Sequence, residues 1–235
     1  MELIYHTADV RKDLPSIVRL FDSDIETIEL DFVLSKDGIP IWTHDVFPTT
    51  FQKSTSNNLK DSLKLYEILD INNKKHKLML DMKYIPRQFL YSDTFNKLLQ
   101  HLNNYDSSGG IQIQTLDLAL LEKIANGIYP NIETGLIINC LSKGFINGLH
   151  IPRIPSIKFM AISSELWERN KGAYINKCNQ LYPDAEKYAW TWDVETRPET
   201  DERINNFLDK GASKIITGNP EKTKKLVMEW QSKRG

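Results

Sequence analysis

Glu29 and Asp31 stand two residues apart in the segment TIELDF. On a strand, that spacing points both carboxylates to one face and leaves Ile28, Leu30 and Phe32 on the other. Two carboxylates side by side on the inner face of a barrel strand repel each other and are poorly solvated. A divalent cation resolves the conflict; so does an Arg or Lys partner, or a face open to water. A third carboxylate, Asp81, ends the apolar run LMLDMK, and Lys83 follows two residues on, on the same face. Asp81 at a strand end suits a metal ligand, and Lys83 suits a cation that holds phosphate. A simple Asp81–Lys83 ion pair is the structural alternative. An all-oxygen donor set favours a hard ion, magnesium or calcium, and admits manganese.

Two of the five histidines extend this set. His6 closes the segment IYH, and His44 closes IWTH. Both fall at strand ends that converge with the carboxylates, and two imidazoles can divide acid and base roles near neutral pH. His76, His101 and His150 fall in helix ends and loops and read as surface residues. Tyr84 and Arg87 follow Lys83 closely enough to reach a substrate.

These residues need elements that bring strand ends together. Short apolar runs predict strands at 3–7, 27–32, 77–83, 110–115, 134–139, 157–162, 188–193 and 213–217. Between them, apolar residues at three- and four-residue steps predict helices over 12–21, 60–69, 92–102, 116–125, 165–180, 201–210 and 220–231, with a weaker one over 141–149. Pro15 and Pro220 suit helix starts, and Gly211 suits a helix stop. Eight strands alternating with eight helices predict a (β/α)8 barrel, with an open doubly wound sheet of fewer strands as the alternative. The stretch LSKDGIPIW reads as a turn at Asp37-Gly38 and a short returning strand, a β-hairpin extension of strand two. The Ser/Thr/Asn-rich stretch 46–58 reads as a loop.

The bulk numbers agree with one such domain over 1–235. A 40% hydrophobic content supports a full core, and a net charge of -1 gives no reason to expect a nucleic acid partner. No stretch reaches the length of a membrane span, and the N-terminus lacks a basic leader with a long apolar core. The two cysteines, Cys140 and Cys178, have no zinc-site spacing and read as reduced thiols. Cytoplasmic localisation is the expectation. The oligomeric state is not legible.

Taken in order, the segments resemble the glycerophosphodiester phosphodiesterase family, within the PLC-like phosphodiesterases. IELDFVLSKDGIPIWTHD is similar to the family's E-x-D strand, D-G turn and final His-Asp, and His44 stands thirteen residues after Asp31, as is usual there. IYHTA, LMLDMK, IQIQTLD, AWTWD and GASKIITGNP resemble the other motifs in sequence order. The resemblance implies a metal-dependent phosphoric diester hydrolase acting on a small-molecule phosphodiester in lipid metabolism. Its acid–base pair would be His6 and His44, its metal ligands Glu29, Asp31 and Asp81, its phosphate cation Lys83, and Trp190 would line the pocket mouth. Trp190 and Trp192 share a strand face, where large aromatics more often pack than bind. The implied mechanism is attack on phosphorus by a neighbouring substrate hydroxyl, through a cyclic phosphate that water can open.

The departures are specific. The family's H-R-G is His6-Thr7-Ala8 here, so the phosphate-gripping arginine is missing, as is the P-E-N-T segment; Arg11 or Arg19 are the candidates to replace the arginine. Asp81 replaces a glutamate, as in the sphingomyelinase D relatives. Asp81 comes thirty-seven residues after His44, too few for the usual helical insertion. A barrel that has lost catalysis and binds a phosphorylated ligand or a protein partner is therefore the second reading, and a lyase that releases a cyclic phosphate the third.

Overall fold

A computed structural model describes residues 1–7, 10, 12–44, 53–83, 85–105, 110–127, 129–138, 151, 153–154, 156–168, 173–191 and 199–234. The fold is a (β/α)8 barrel with a hairpin extension. Its chain divides into two compact units, Met1–His6 with Gly135–Gly235, and Thr7–Thr134.

In the Thr7–Thr134 unit, β2 (Thr27–Leu34) pairs in parallel with β4 (Lys77–Met82), and β4 with β5 (Ile111–Thr115). The short β3 (Pro40–Trp42) returns antiparallel along β2, as the hairpin reading requires. Every residue of β2 is buried, so its apolar face (Ile28, Leu30, Phe32) and its acidic face (Glu29, Asp31) are both shut off from water. A parallel strand covered on both sides is the ordinary barrel arrangement. The helices are α1 (Leu14–Phe21), α2 (Leu65–Asn72), α3 (Arg87–Leu90), α4 (Asp93–Asn103) and α5 (Leu118–Ala125). The side chain of Asp13 caps α1 by accepting from Ser16 N, with Pro15 in its first turn.

The hairpin turn is held from outside itself. Gly38 adopts φ +80, which its lack of a Cβ permits. The Asp37 carboxylate accepts from Ser35 Oγ (2.6 Å), Ser56 N (2.8 Å) and Ser56 Oγ (2.6 Å), and so pins the turn to the short 3-10 helix Ser56–Asn58. Burial pushes this carboxyl up, but those hydrogen bonds win and hold it down at about 2. A depressed acid stabilises above its unfolded value of roughly 4 and loses that contribution as pH falls toward 2. Asp37 is exposed to solvent, so screening reduces the effect. Asp37→Asn is expected to lower stability by about 1 kcal/mol at pH 7, with the gap closing near pH 2, in pH-resolved denaturant melts.

In the other unit the strand order is β1 (Glu2–His6), β9 (Lys214–Thr217), β8 (Glu186–Trp190), β7 (Phe159–Ser163) and, from Gly135 onward, β6 (Ile132–Ile138), all parallel. Phe159 of β7 stacks on Tyr188 of β8, with ring centroids 4.7 Å apart. The helices are α6 (Ser164–Glu168), α7 (Ala173–Leu181), α8 (Asp201–Asp209) and α9 (Pro220–Ser232). Asn219 caps α9 ahead of Pro220, and Gly211 follows α8 at φ +82, as the sequence signals predict.

Several expectations need correction. The helix predicted over 165–180 is described as two, α6 and α7, and residues 169–172 lie outside the described set. β8 starts at Glu186 and ends at Trp190, where 188–193 was expected. His76 is 3% exposed and not a surface residue: its ring nitrogens meet the carbonyl oxygens of Ile25 (2.6 Å) and Phe21 (2.7 Å). Cys178 is a free, buried thiol. Ala8, Arg11, Asp45, Tyr84, Cys140, His150, Trp192, the 141–149 helix and most of the 46–58 loop lie outside the described residues. Among the described residues, no helix is long and apolar enough to cross a membrane.

Candidate active site

The parallel register of β2 and β4 makes Asp31 and Asp81 Cα partners, and places Glu29 two residues before Asp31 on the same face. Glu29, Asp31 and Asp81 are 1%, 0% and 7% exposed, and each offers an oxygen within 4.8 Å of the others. Gln114 on β5 is the Cα partner of Asp81, and its Nε2 donates to Glu29 Oε1 at 3.3 Å. One step past β4, Lys83 N donates to Phe32 O, which extends the strand pairing. The Lys83 ammonium then reaches Asp31 Oδ1 at 2.6 Å and Asp81 Oδ2 at 2.5 Å. The metal-ligand and ion-pair readings of Asp81 thus meet in one cluster.

Three buried carboxylates and one part-buried ammonium distort each other's protonation. Burial, then the charges of Asp31 and Asp81, push Glu29 well above the usual carboxylate range, against the pull of Lys83 and Lys12. Burial also lifts Asp81 to about 6, with Lys83 opposing and Asp31 adding to the rise. For Lys83, burial disfavours the charge, but Asp81, Asp31 and Glu29 outweigh it and hold the ammonium firmly protonated. Glu29 stays raised even with both lysines acting on it, so added positive charge would favour its ionised form. The cluster's oxygens are hard donors at mutual spacings a magnesium or calcium ion can bridge, so the residues fit such an ion.

His44 follows β3 on the hairpin. The preceding residue is fixed, since Thr43 N donates to Asp31 O at 3.0 Å. A His44 ring nitrogen lies within 4.8 Å of an Asp31 oxygen, so the hairpin delivers the imidazole to the acidic cluster.

His6 and Trp190 come together in the other unit. His6 ends β1 at 5% exposure, and Trp190 ends β8 with its ring edge-on to the imidazole, centroids 5.9 Å apart and planes at 78°. Trp42 and Trp167 are core residues at 1% and 0% exposure. Arg19 donates to Ser16 Oγ within α1.

Sequence reasoning did not single out Gln114 or Glu199. The alternation IQIQT could have found Gln114, since it puts both glutamines on the acidic face. Glu199 is 3% exposed and accepts from Thr217 Oγ1 (2.5 Å) at the end of β9 and from Thr223 Oγ1 on α9. That tether needs three separated segments, and no local pattern announces it.

No family model matches the chain, and no curated protein matches it. Solved structures do. A glycerophosphodiester phosphodiesterase from Parabacteroides distasonis is 15% identical, with 100% of this chain and 98% of that one covered and a TM-score of 0.71. An Oleispira antarctica phosphodiesterase, solved with the product sn-glycerol-3-phosphate, is 14% identical over 97% of this chain and 96% of its own, with a TM-score of 0.67. A glycerophosphodiester phosphodiesterase from Thermotoga maritima is 13% identical over 96% and 98%, with a TM-score of 0.66. At such identities the likeness is one of architecture: the chain has the (β/α)8 fold of the glycerophosphodiester phosphodiesterases.

Proposed function

We propose that the chain is a metal-dependent phosphodiesterase that cleaves a glycerophosphodiester-like, sugar-linked or lipid-linked phosphodiester. The observation that carries this reading is the buried trio Glu29, Asp31 and Asp81, on neighbouring strands β2 and β4, with the part-exposed Lys83 closing on two of them. Ionised carboxylates out of water are costly unless compensated, and Glu29 stays well above the usual carboxylate range against the pull of both Lys83 and Lys12. The trio would hold the magnesium or calcium ion. When bound there, such an ion would draw charge from the phosphoryl oxygens.

The chain's own residues do the rest. One of His6 and His44 takes the proton of the attacking hydroxyl, and the other protonates the departing oxygen. The attacking group is a hydroxyl of the substrate itself: its oxygen bonds to phosphorus, the bond to the leaving alcohol breaks, and a cyclic phosphate results. Water then opens the ring to a monoester. Lys83 neutralises charge on the phosphate, and Trp190, packed on His6, lines the pocket mouth. The sn-glycerol-3-phosphate held by the Oleispira enzyme is a monoester of the expected product class. The same reading treats 1–235 as one functional domain in the cytoplasm, where a free thiol such as Cys178 stays reduced.

The closure of Lys83 on both aspartates, with Thr7 in place of an arginine, favours a second reading: a barrel that binds a phosphorylated ligand without cleaving it. Thermal melts in EDTA, magnesium and calcium, with a phosphodiester panel followed by phosphorus NMR, separate the two. The enzyme reading expects a cation-dependent rise in melting temperature and a monoester product. No cation response together with no turnover would sink it. A cyclic product that is never opened would identify a lyase.

A further inference from the structure

The polar row at the acidic cluster runs one strand further than its carboxylates. Asp31 is the Cα partner of Asp81, and Asp81 is the Cα partner of Gln114, so the three stand level on β2, β4 and β5. Level residues on parallel strands share a face, and Gln114 therefore presents its amide on the acidic side. The residue is 4% exposed.

The two ends of that amide are used unequally. Nε2 donates to Glu29 Oε1 at 3.3 Å. Oε1 is buried and has no hydrogen-bond partner among the described residues. An amide oxygen is an acceptor with two lone pairs, and leaving it empty out of water is unfavourable. The Lys83 ammonium is committed to Asp31 and Asp81. The bond to Glu29 also limits where the empty end can be. The nitrogen and oxygen of one amide are about 2.3 Å apart, so Gln114 Oε1 stands within about 5.6 Å of Glu29 Oε1. Two oxygens bound across one calcium ion are about 5 Å apart. The empty oxygen is thus held to the cluster at the scale of a shared ion, and it is a neutral hard donor of the kind such an ion takes from Asn and Gln.

We infer that Gln114 is a further ligand of the divalent ion, giving it an amide oxygen beside the carboxylates of Glu29, Asp31 and Asp81. This rests on the metal site of the phosphodiesterase reading above. The amide acts in two directions: its N–H fixes one oxygen of Glu29, and its own oxygen serves the ion. The added donor bears on which ion is held. Calcium takes about six to eight oxygens, amide carbonyls among them, whereas magnesium keeps several waters. Three carboxylates and an amide are a set that favours calcium.

The test is the hydration of europium(III), a luminescent stand-in for calcium, bound to the whole metal-free chain. Its luminescence lifetimes in H2O and D2O count the waters on the ion. Wild type, Gln114→Ala and Gln114→Glu are compared, with calcium affinity read by calorimetry. Gln114→Ala is expected to carry about one more water on the ion and to bind calcium about ten- to a hundred-fold more weakly. Gln114→Glu should keep the wild-type water count, because a carboxylate oxygen takes the place of the amide oxygen. Where Gln114→Ala does not fold, Gln114→Ser is read in the same way. An unchanged water count in the alanine or serine variant overturns the assignment even if calcium binds more weakly, since Gln114 would then act only by holding Glu29. A count raised in Gln114→Glu as well also overturns it. No europium or calcium bound by folded wild type overturns both the assignment and the metal site. The expected water counts with no turnover of any phosphodiester strike the phosphodiesterase reading and leave Gln114 as assigned.

Discussion

Lys83→Met is expected to lower stability by about 3–5 kcal/mol in EDTA and to regain most of it in magnesium or calcium. The ammonium stands 2.6 Å from Asp31 and 2.5 Å from Asp81, and both aspartates are buried. Methionine keeps much of the volume and none of the charge, so the loss is electrostatic more than steric. Three carboxylates would then face one another without Lys83, with Lys12 still acting on Glu29. Removing one partner of a buried pair is severe because the other charge stays behind without compensation. A domain of this size has a total stability of roughly 5–15 kcal/mol, so the variant should melt far below wild type. A divalent ion binds the same oxygens and delivers twice the lost charge. Its stabilising effect, which follows the logarithm of concentration over affinity, should therefore be larger in the variant than in wild type. Thermal and urea melts across a cation titration check both halves. If Lys83→Met melts with wild type in EDTA, the trio is not a charged cluster. If no divalent ion lifts it, the trio is not a metal site.

The trio was legible in the sequence because a strand has a period of two. Glu29 and Asp31 share a face whatever else happens, and an apolar run ending in Asp81 and Lys83 sets the same face on the next parallel strand. The hairpin was legible for a similar local reason: Asp37-Gly38 needs a turn, and Gly38 takes the positive φ that the turn demands. What sequence could not yield depends on distant partners. His76 lies in no periodic segment, and its burial comes from the carbonyls of Phe21 and Ile25, more than fifty residues earlier. Lys12 only opens the predicted 12–21 helix in the sequence, and nothing local shows that its ammonium lies over the Trp42 ring. The end of β8 was misjudged because Trp190, Thr191 and Trp192 all favour strands. The described pairing nevertheless stops at Trp190, opposite Ile216, with only Thr191 N still bonded to Ile216 O. Local propensity reports what a residue tolerates, and pairing reports where a partner exists.

Alanine at His44 and at His6 is expected to lower kcat by about 10³-fold each, the scale of a lost general acid or base. Stability should move little in His44→Ala, since the imidazole is partly exposed and the hairpin is held through Asp37 and the Thr43–Asp31 backbone bond. His6→Ala should cost more stability, because His6 is 5% exposed and packs edge-on against Trp190. The two transfers serve one displacement at phosphorus, so the double variant should fall well short of the product of the two. The two roles separate by leaving group. A phosphodiester that expels p-nitrophenolate needs no proton on the departing oxygen, so it should largely restore the variant that lacks the acid and leave the variant that lacks the base slow. The pH–rate profiles should agree, with each variant losing one limb of the bell. Wild-type turnover in either alanine variant removes that histidine from the chemistry. Equal rescue of both by the better leaving group would mean that neither acts as the base, and the attacking hydroxyl would then have to lose its proton elsewhere in the cluster.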